Sequence, residues 1–222
     1  DDELRFVLGH ELGHLYYRHY RARLIYGAVG ETEAGESRLP ALLQRRMESW
    51  ERMAELSADR TGYRAVGGKL EPIVSAFFKM ASGLGPEHLS FDISAFLDQL
   101  EDLQRLKRRE VLAQFSHPVT PVRVRALQVY GEAGGSDLDE AALAAVDEQV
   151  AGIARLMEHE VTEPLEVNGR DFLLAGGLLA AHADGTSISH DEWDLLVQLL
   201  LPLCADPEAE LKAMPSSDDA RD

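Results

Sequence analysis

Apolar residues return every three to four positions along most of the chain, and no segment alternates with the period of two that a half-buried strand needs. Leu4, Val7, Leu8, Leu12 and Leu15 form the apolar stripe of a first predicted helix, and Asp1-Asp2-Glu3 puts negative charge at its N-terminus, where the helix dipole favours it. A second helix is predicted from about Pro40 to Val66, with Gly67-Gly68 as its stop. Ile73, Phe77 and Met80 mark a short third helix. Ile93, Phe96, Leu97, Leu100 and Leu103 mark a fourth, ending near Phe115. Pro118 and Pro121 break the chain. Pro121 can open the next helix, through Val122, Leu127 and Tyr130, because a missing N–H costs nothing in a first turn. Gly131 to Gly135 reads as a linker.

After the linker, Leu138, Ala142, Val146, Val150, Ile153, Met157 and Val161 predict one long amphipathic helix, Phe172 to His182 a second and Asp191 to Leu203 a third. The tail from Pro207 is polar and is expected to be disordered. The expected fold class is therefore mostly α: a helical core over residues 1–131, a small all-α module over 136–206 and a tail over 207–222. Gly27 to Ser37, acidic and glycine-rich, is expected to be a mobile loop between the first two helices.

The chemistry concentrates in two short stretches. In His10-Glu11-Leu12-Gly13-His14, the histidines stand four apart, so on a helix both imidazoles lie on one face, one turn apart. Glu11, next to the first, can reach a metal-bound water as general base. Glu55-Leu56-Ser57-Ala58-Asp59 completes the set. A catalytic zinc needs three protein ligands and one open position, and Glu55 is the candidate third ligand, on a second helix. Asp59, one turn on, can accept the free ring N–H of a ligating histidine, His10 above all, and so fix its tautomer. His19 lies five residues after His14 and, on a continuous helix, points about 140° away from it. His88, His159, His182 and His190 have no partner at ligand spacing, and a solvated or core-rim role is the default for all five.

Gly9-His10-Glu11-Leu12-Gly13-His14, then Glu55-Leu56-Ser57-Ala58-Asp59-Arg60, then Ser116-His117-Pro118 followed by Arg123, resembles the gluzincin peptidases of the HtpX, CaaX prenyl protease and Oma type over roughly residues 1–130. The resemblance implies one zinc ion held by His10, His14 and Glu55, Glu11 as general base, Asp59 behind the ligands, and endopeptidase chemistry on protein or peptide substrates. It also implies that His117 and Arg123 lie near the substrate carbonyl. His117 is the candidate donor to the oxyanion, and a plain loop histidine before Pro118, hydrogen-bonded to backbone, is the alternative. Arg123 has two open roles: donor to the substrate, or partner of a buried carboxylate such as Glu55 or Asp59. Because peptidases of this type lay an extended substrate along an edge strand, the resemblance implies an upstream part of the domain, where anchors or targeting signals would lie.

Ala183-Asp184-Gly185-Thr186-Ser187-Ile188-Ser189-His190-Asp191-Glu192 is similar to the turn of the helical TerB-type modules of tellurite-resistance proteins, which implies a module that recruits a regulatory protein partner. A calcium EF-hand fails on spacing, since Ala180 and His182 fall where oxygen ligands belong, and a plain turn with Asp191 and Glu192 at a helix N-terminus stands beside the module reading. The rival to an enzyme is a non-catalytic binding protein with a structural metal, acting through this acidic module. Glu11 argues against it, because a structural site needs no base.

With 22 basic against 39 acidic residues the net charge is −17, which disfavours nucleic acid and anionic membrane as partners. Cys204 is the single cysteine, so an internal disulfide is excluded, and its apolar surroundings suggest an inert buried thiol. The longest apolar stretch, Phe172 to Ala181, is too short to span a bilayer. A cytoplasmic or otherwise soluble location is expected for the chain, and a membrane or periplasmic one if the upstream part carries an anchor or signal.

Overall fold

The computed structural model describes residues 1–30, 41–85, 88, 92–105, 117–158, 161, 164–183, 187–200, 203–204 and 207–213. It is mostly helical, and the described residues contain no strand. Two compact units divide it, Asp1–Glu158 and His159–Asp222.

The first unit is built on α1 (Asp2–Tyr16), α2 (His19–Gly30), α3 (Ala41–Ala65), α4 (Leu70–Ser82), α5 (Ile93–Arg105), α6 (Thr120–Glu132) and α7 (Glu140–Ala154), with short 3-10 turns at Gly135–Asp137 and Arg155–Met157. Local chemistry sets the ends. Gly67 and Gly68, at φ 66° and 79°, stop α3 in a left-handed turn that a β-carbon would strain. Pro121 sits in the first turn of α6. Asp139 caps α7 by accepting the Ala142 N–H at 2.8 Å. One core joins Phe6 of α1 to Val66, Ile73, Val74, Phe77, Phe96, Val124 and Leu127. A second joins Leu56 of α3 to Ala126, Val129, Tyr130, Val146, Val150 and Ala154.

The crossing of α1 and α3 positions everything that follows. The two helices touch at backbone level through small residues. A β-carbon on Gly9 would stand 2.7 Å from Ala65 Cβ, one on Gly13 3.0 Å from Ala58 Cα, and one on Gly62 2.6 Å from the Phe6 ring. This corrects the expected stripe. Phe6, Gly9 and Gly13 are the buried face of α1, while Leu4, Leu8, Leu12 and Leu15 are exposed, Leu12 at 60%. The pattern of large apolar residues pointed the wrong way because the closest packing in this helix is made by residues with almost no side chain. Glu3 adds a polar tie to α4, accepting from Ser75 Oγ at 2.6 Å and Lys79 Nζ at 2.7 Å.

Three further expectations change. The first helix does not run on through His19: it ends at Tyr16, Arg18 takes φ 59°, and α2 starts in a new direction at His19 and continues to Gly30. Glu31 to Ser37 and Pro40 lie outside the described residues, as do Ser116, Phe115 and His159. The segment after the glycine run, assigned by its stripe to the later module, packs within the first unit, because Val146, Val150 and Ala154 close the core around Leu56 and Tyr130. The boundary falls after Glu158 instead of at the glycines.

The second unit holds α8 (Pro164–Ala181), α9 (His190–Leu200) and α10 (Pro207–Ala213), with Leu174, Ala181, Leu196, Leu200, Leu203 and Leu211 buried. The expected disorder from Pro207 is corrected over α10, whose Pro207 and Leu211 are buried; residues 214–222 lie outside the described residues. Asp184 to Thr186 also lie outside them, and the turn that follows ends in a capping box. Glu192 accepts from Ser189 N at 2.8 Å, and Ser189 Oγ accepts from Glu192 N at 3.3 Å. Cys204 is partly buried, its thiol 3.4 Å from the Leu200 carbonyl. No described helix is long and apolar enough to cross a membrane.

Candidate metal centre

Close packing of α1 on α3 sets the His10–His14 turn against the Glu55–Asp59 turn. His10 Nε2 and His14 Nε2 are 3.1 Å apart, Glu55 Oε2 is 3.4 Å from His10 Nε2, and Glu55 Oε1 is 3.3 Å from His14 Nε2. Donor atoms bound at about 2.0–2.1 Å to one tetrahedral zinc stand about 3.3 Å from each other. The two ring nitrogens stand near that value, Glu55 turns a different oxygen to each ring, and one ligand atom from each of the three side chains lies within 4.8 Å of the others, so the donor set suits one such ion. It is also the group of metal-ligating side chains that the described residues bring together. Two imidazole nitrogens this close repel unless a proton or cation lies between them, and the buried Glu55 carboxylate demands the same positive charge.

The titration of the metal-free site reflects that demand. Burial works against the charged His10 ring, but hydrogen bonds to Asp59 and Glu55 outweigh it and raise its pKa to about 9. Burial likewise works against charge on Glu55, yet its bonds to His10 and Arg23 and the neighbouring positive charges hold it at about 2. For His14, burial dominates and lowers the pKa, favouring the neutral ring that a metal requires.

Both rings are held from behind. His10 Nδ1 lies 2.9 Å from Asp59 Oδ1. Asp59 is fully buried and accepts both Nε (2.7 Å) and Nη2 of Arg123, whose guanidinium also lies 4.2 Å over the Phe77 ring. Of the two roles open to Arg123, the structure takes the second. It stands behind His10 and does not line the cleft, a correction to its grouping with the substrate-facing residues. His14 Nδ1 lies 2.9 Å from Nδ1 of His19, which is 8% exposed and 3.4 Å from Ser57 Oγ through its other nitrogen.

An open cleft of ≈ 540 Å³ lies in front of the donor atoms, lined by His10, Glu11, His14, Leu15, Tyr20, Arg23, Leu24, Glu55 and His117. Glu11 is exposed and lines this cleft. His117, at the head of α6, puts Nε2 3.6 Å from Glu55 Oε1 with its side chain 61% exposed. Reading the sequence missed two participants. Arg23 Nη2 donates to Glu55 Oε1 at 2.9 Å from α2, and His19 backs His14. Both depend on the change of direction at Arg18. Residues 15–22 hold no glycine, asparagine or proline, so no local signal marks that change of direction.

The model of peptidase family M48 matches residues 1–130. A curated relative, the plastoglobule-localized metallopeptidase 48, chloroplastic, of Arabidopsis thaliana, is 29% identical over 138 residues, covering 56% of this chain and 40% of its own length. The chain thus spans less than half the length of that relative. No solved structure matches.

Proposed function

The chain belongs to peptidase family M48, and on that premise we propose that it is a zinc metalloendopeptidase, with His10, His14 and Glu55 as ligands of one ion and Glu11 as general base. One observation carries the reading: two ring nitrogens 3.1 Å apart face the oxygens of one buried carboxylate at 3.3 and 3.4 Å, beside the exposed Glu11 in an open cleft. When bound, zinc supplies a Lewis acid for the scissile carbonyl and lowers the pKa of water toward ~7. Glu11 removes the proton from the attacking water and delivers it to the departing amine. His117, exposed above Glu55, donates to the carbonyl oxygen as its charge builds. Arg123 and Asp59 keep His10 in the tautomer that presents Nε2.

The match of Ser116-His117-Pro118 and Arg123 to the HtpX, CaaX and Oma type supports a protein substrate presented as an extended segment. The helices of the second unit, with their resemblance to a TerB-type module, are the proposed docking element for a regulatory protein. Replacing Glu11 with Gln tests the assignment. Zinc content and helicity should be unchanged, while peptide hydrolysis falls about 10²–10⁴-fold. A variant that cleaves at the parent rate overturns the role of Glu11, and a parent chain that takes up no zinc overturns the whole reading.

A further inference from the structure

Each proposed ligand histidine needs its outer nitrogen fixed, and the two solve this differently. His10 faces a carboxylate. His14 faces another imidazole, and the directions of the hydrogen bonds around that ring can be worked out from their far end. Ser57 Oγ donates its only proton to the Ala54 carbonyl at 2.9 Å, so toward His19 Nε2, 3.4 Å away, it can only accept. His19 therefore carries its proton on Nε2 and shows a lone pair at Nδ1. Across the 2.9 Å contact that lone pair requires the proton to sit on His14 Nδ1. His14 Nε2 is left bare, aimed at Glu55 and His10.

The ring of His19 is not free to turn away. Tyr17 stacks on it at 5.6 Å between centroids with an interplanar angle of 19°, Trp50 meets it edge-on at 5.7 Å, and it is buried. We infer that His19 is a positioning residue of the metal centre, whose Nδ1 holds His14 in the tautomer that turns Nε2 toward Glu55 and His10. The inference rests on the zinc reading above and deepens it. It also separates the two ligands, since His10 is steadied by a charged pair and His14 by an uncharged chain ending on the backbone of α3. Removing a partner that orients a ligating histidine typically weakens metal binding by about 10–100-fold.

The test uses the full chain and three variants. His19→Phe keeps an aromatic ring between Tyr17 and Trp50 but has no nitrogen. His19→Gln restores a side-chain oxygen that can accept. Ser57→Ala removes the acceptor that orients the His19 ring. Zinc affinity is read by chelator competition, the metal-free fold by far-ultraviolet circular dichroism, and the His14 ring proton by long-range ¹⁵N–¹H spectra of the zinc-loaded chain. The expected result is a metal-free fold like the parent's in His19→Phe, zinc bound about 10–100-fold more weakly, and a His14 Nδ1–H signal that exchanges slowly in the parent and rapidly in the variant. His19→Gln should recover most of the affinity. Parent affinity in His19→Phe overturns the inference while leaving the zinc reading intact, whereas a parent chain that binds no zinc overturns both. Should His19→Phe fail to fold, Ser57→Ala decides: about tenfold weaker binding supports the role, and parent affinity with a parent-like His14 signal overturns it.

Discussion

Asp59 shows how much one carboxylate can hold. It is fully buried, it accepts two hydrogen bonds from Arg123, and its Oδ1 faces His10. Replacing Asp59 with Ala leaves the largely buried guanidinium without its counter-charge, and breaking a buried pair from one side costs about 3–5 kcal/mol. Denaturant unfolding of the metal-free variant should show that loss, with zinc binding weakened about 10–100-fold as well, because His10 loses its orienting partner. The same side chains give the metal-free fold a pH optimum. His10, at about 9 against the ordinary 6.5 of a free imidazole, contributes stability that is full below pH 6.5 and drains as the pH rises through 9. Glu55, at about 2 against 4.5, contributes stability that is full above pH 4.5 and drains as the pH falls toward 2. The melting temperature of the metal-free chain should therefore fall on both sides of a plateau between those limits. Zinc should remove the alkaline slope, since a ligating ring nitrogen carries no proton. A flat profile from pH 6.5 to 9 in the metal-free chain would contradict the assignment of His10.

At the scale of the helix, the centre depends on α1 and α3 being close enough to share it. Replacing Gly13 with Ala gains about 1 kcal/mol of helix propensity, but the new methyl would stand 3.0 Å from Ala58 Cα and from Thr61 Cβ. Overpacking of that kind costs about 1–3 kcal/mol, so the net expectation is a lower melting temperature, with weaker zinc binding as His14 is pushed off Glu55. Gly152→Ala is the control: nothing lies within 4 Å of its added carbon, so it should stabilise α7 by about 0.5–1 kcal/mol and leave zinc binding alone. The contrast shows what the sequence could reveal. Spacing of four puts His10 with His14 and Glu55 with Asp59 on common faces, because helical geometry is local. Which face of α1 turns inward was not legible, since a count of large apolar residues gives Gly9 and Gly13 no weight. His19 was not legible either, because one backbone angle at Arg18 redirects everything after it. The end of the first unit was misplaced for a related reason. Gly134 and Gly135 make a left-handed turn between two helices that share one core, and a glycine run looks the same whether it joins two bodies or folds one.

Across the whole chain, every residue assigned to the centre lies in the first unit, and the cores beneath it end at Met157. The last residue of that unit is not dispensable. Glu158 accepts from Ser49 Oγ at 2.8 Å and from Arg52 Nη2 at 3.0 Å, and Arg52 is a buried cation on α3, the helix that carries Glu55. Asp147 pairs with Arg60 on the same helix. A chain ending at Glu158 therefore keeps these ties to α3, while one ending at Gly134, where the glycine run suggests a border, strips α7 from Leu56 and Tyr130 and leaves Arg52 without its counter-charge. The loss of that pair alone costs about 3–5 kcal/mol, a large share of the ~5–15 kcal/mol that holds a domain folded. Residues 1–158 should unfold cooperatively and bind one zinc with the affinity of the full chain. Residues 1–134 should lose the cooperative transition and the metal together. Equal zinc affinity in the two truncated chains would show that α7 lends the centre no support and would return the border to the glycines.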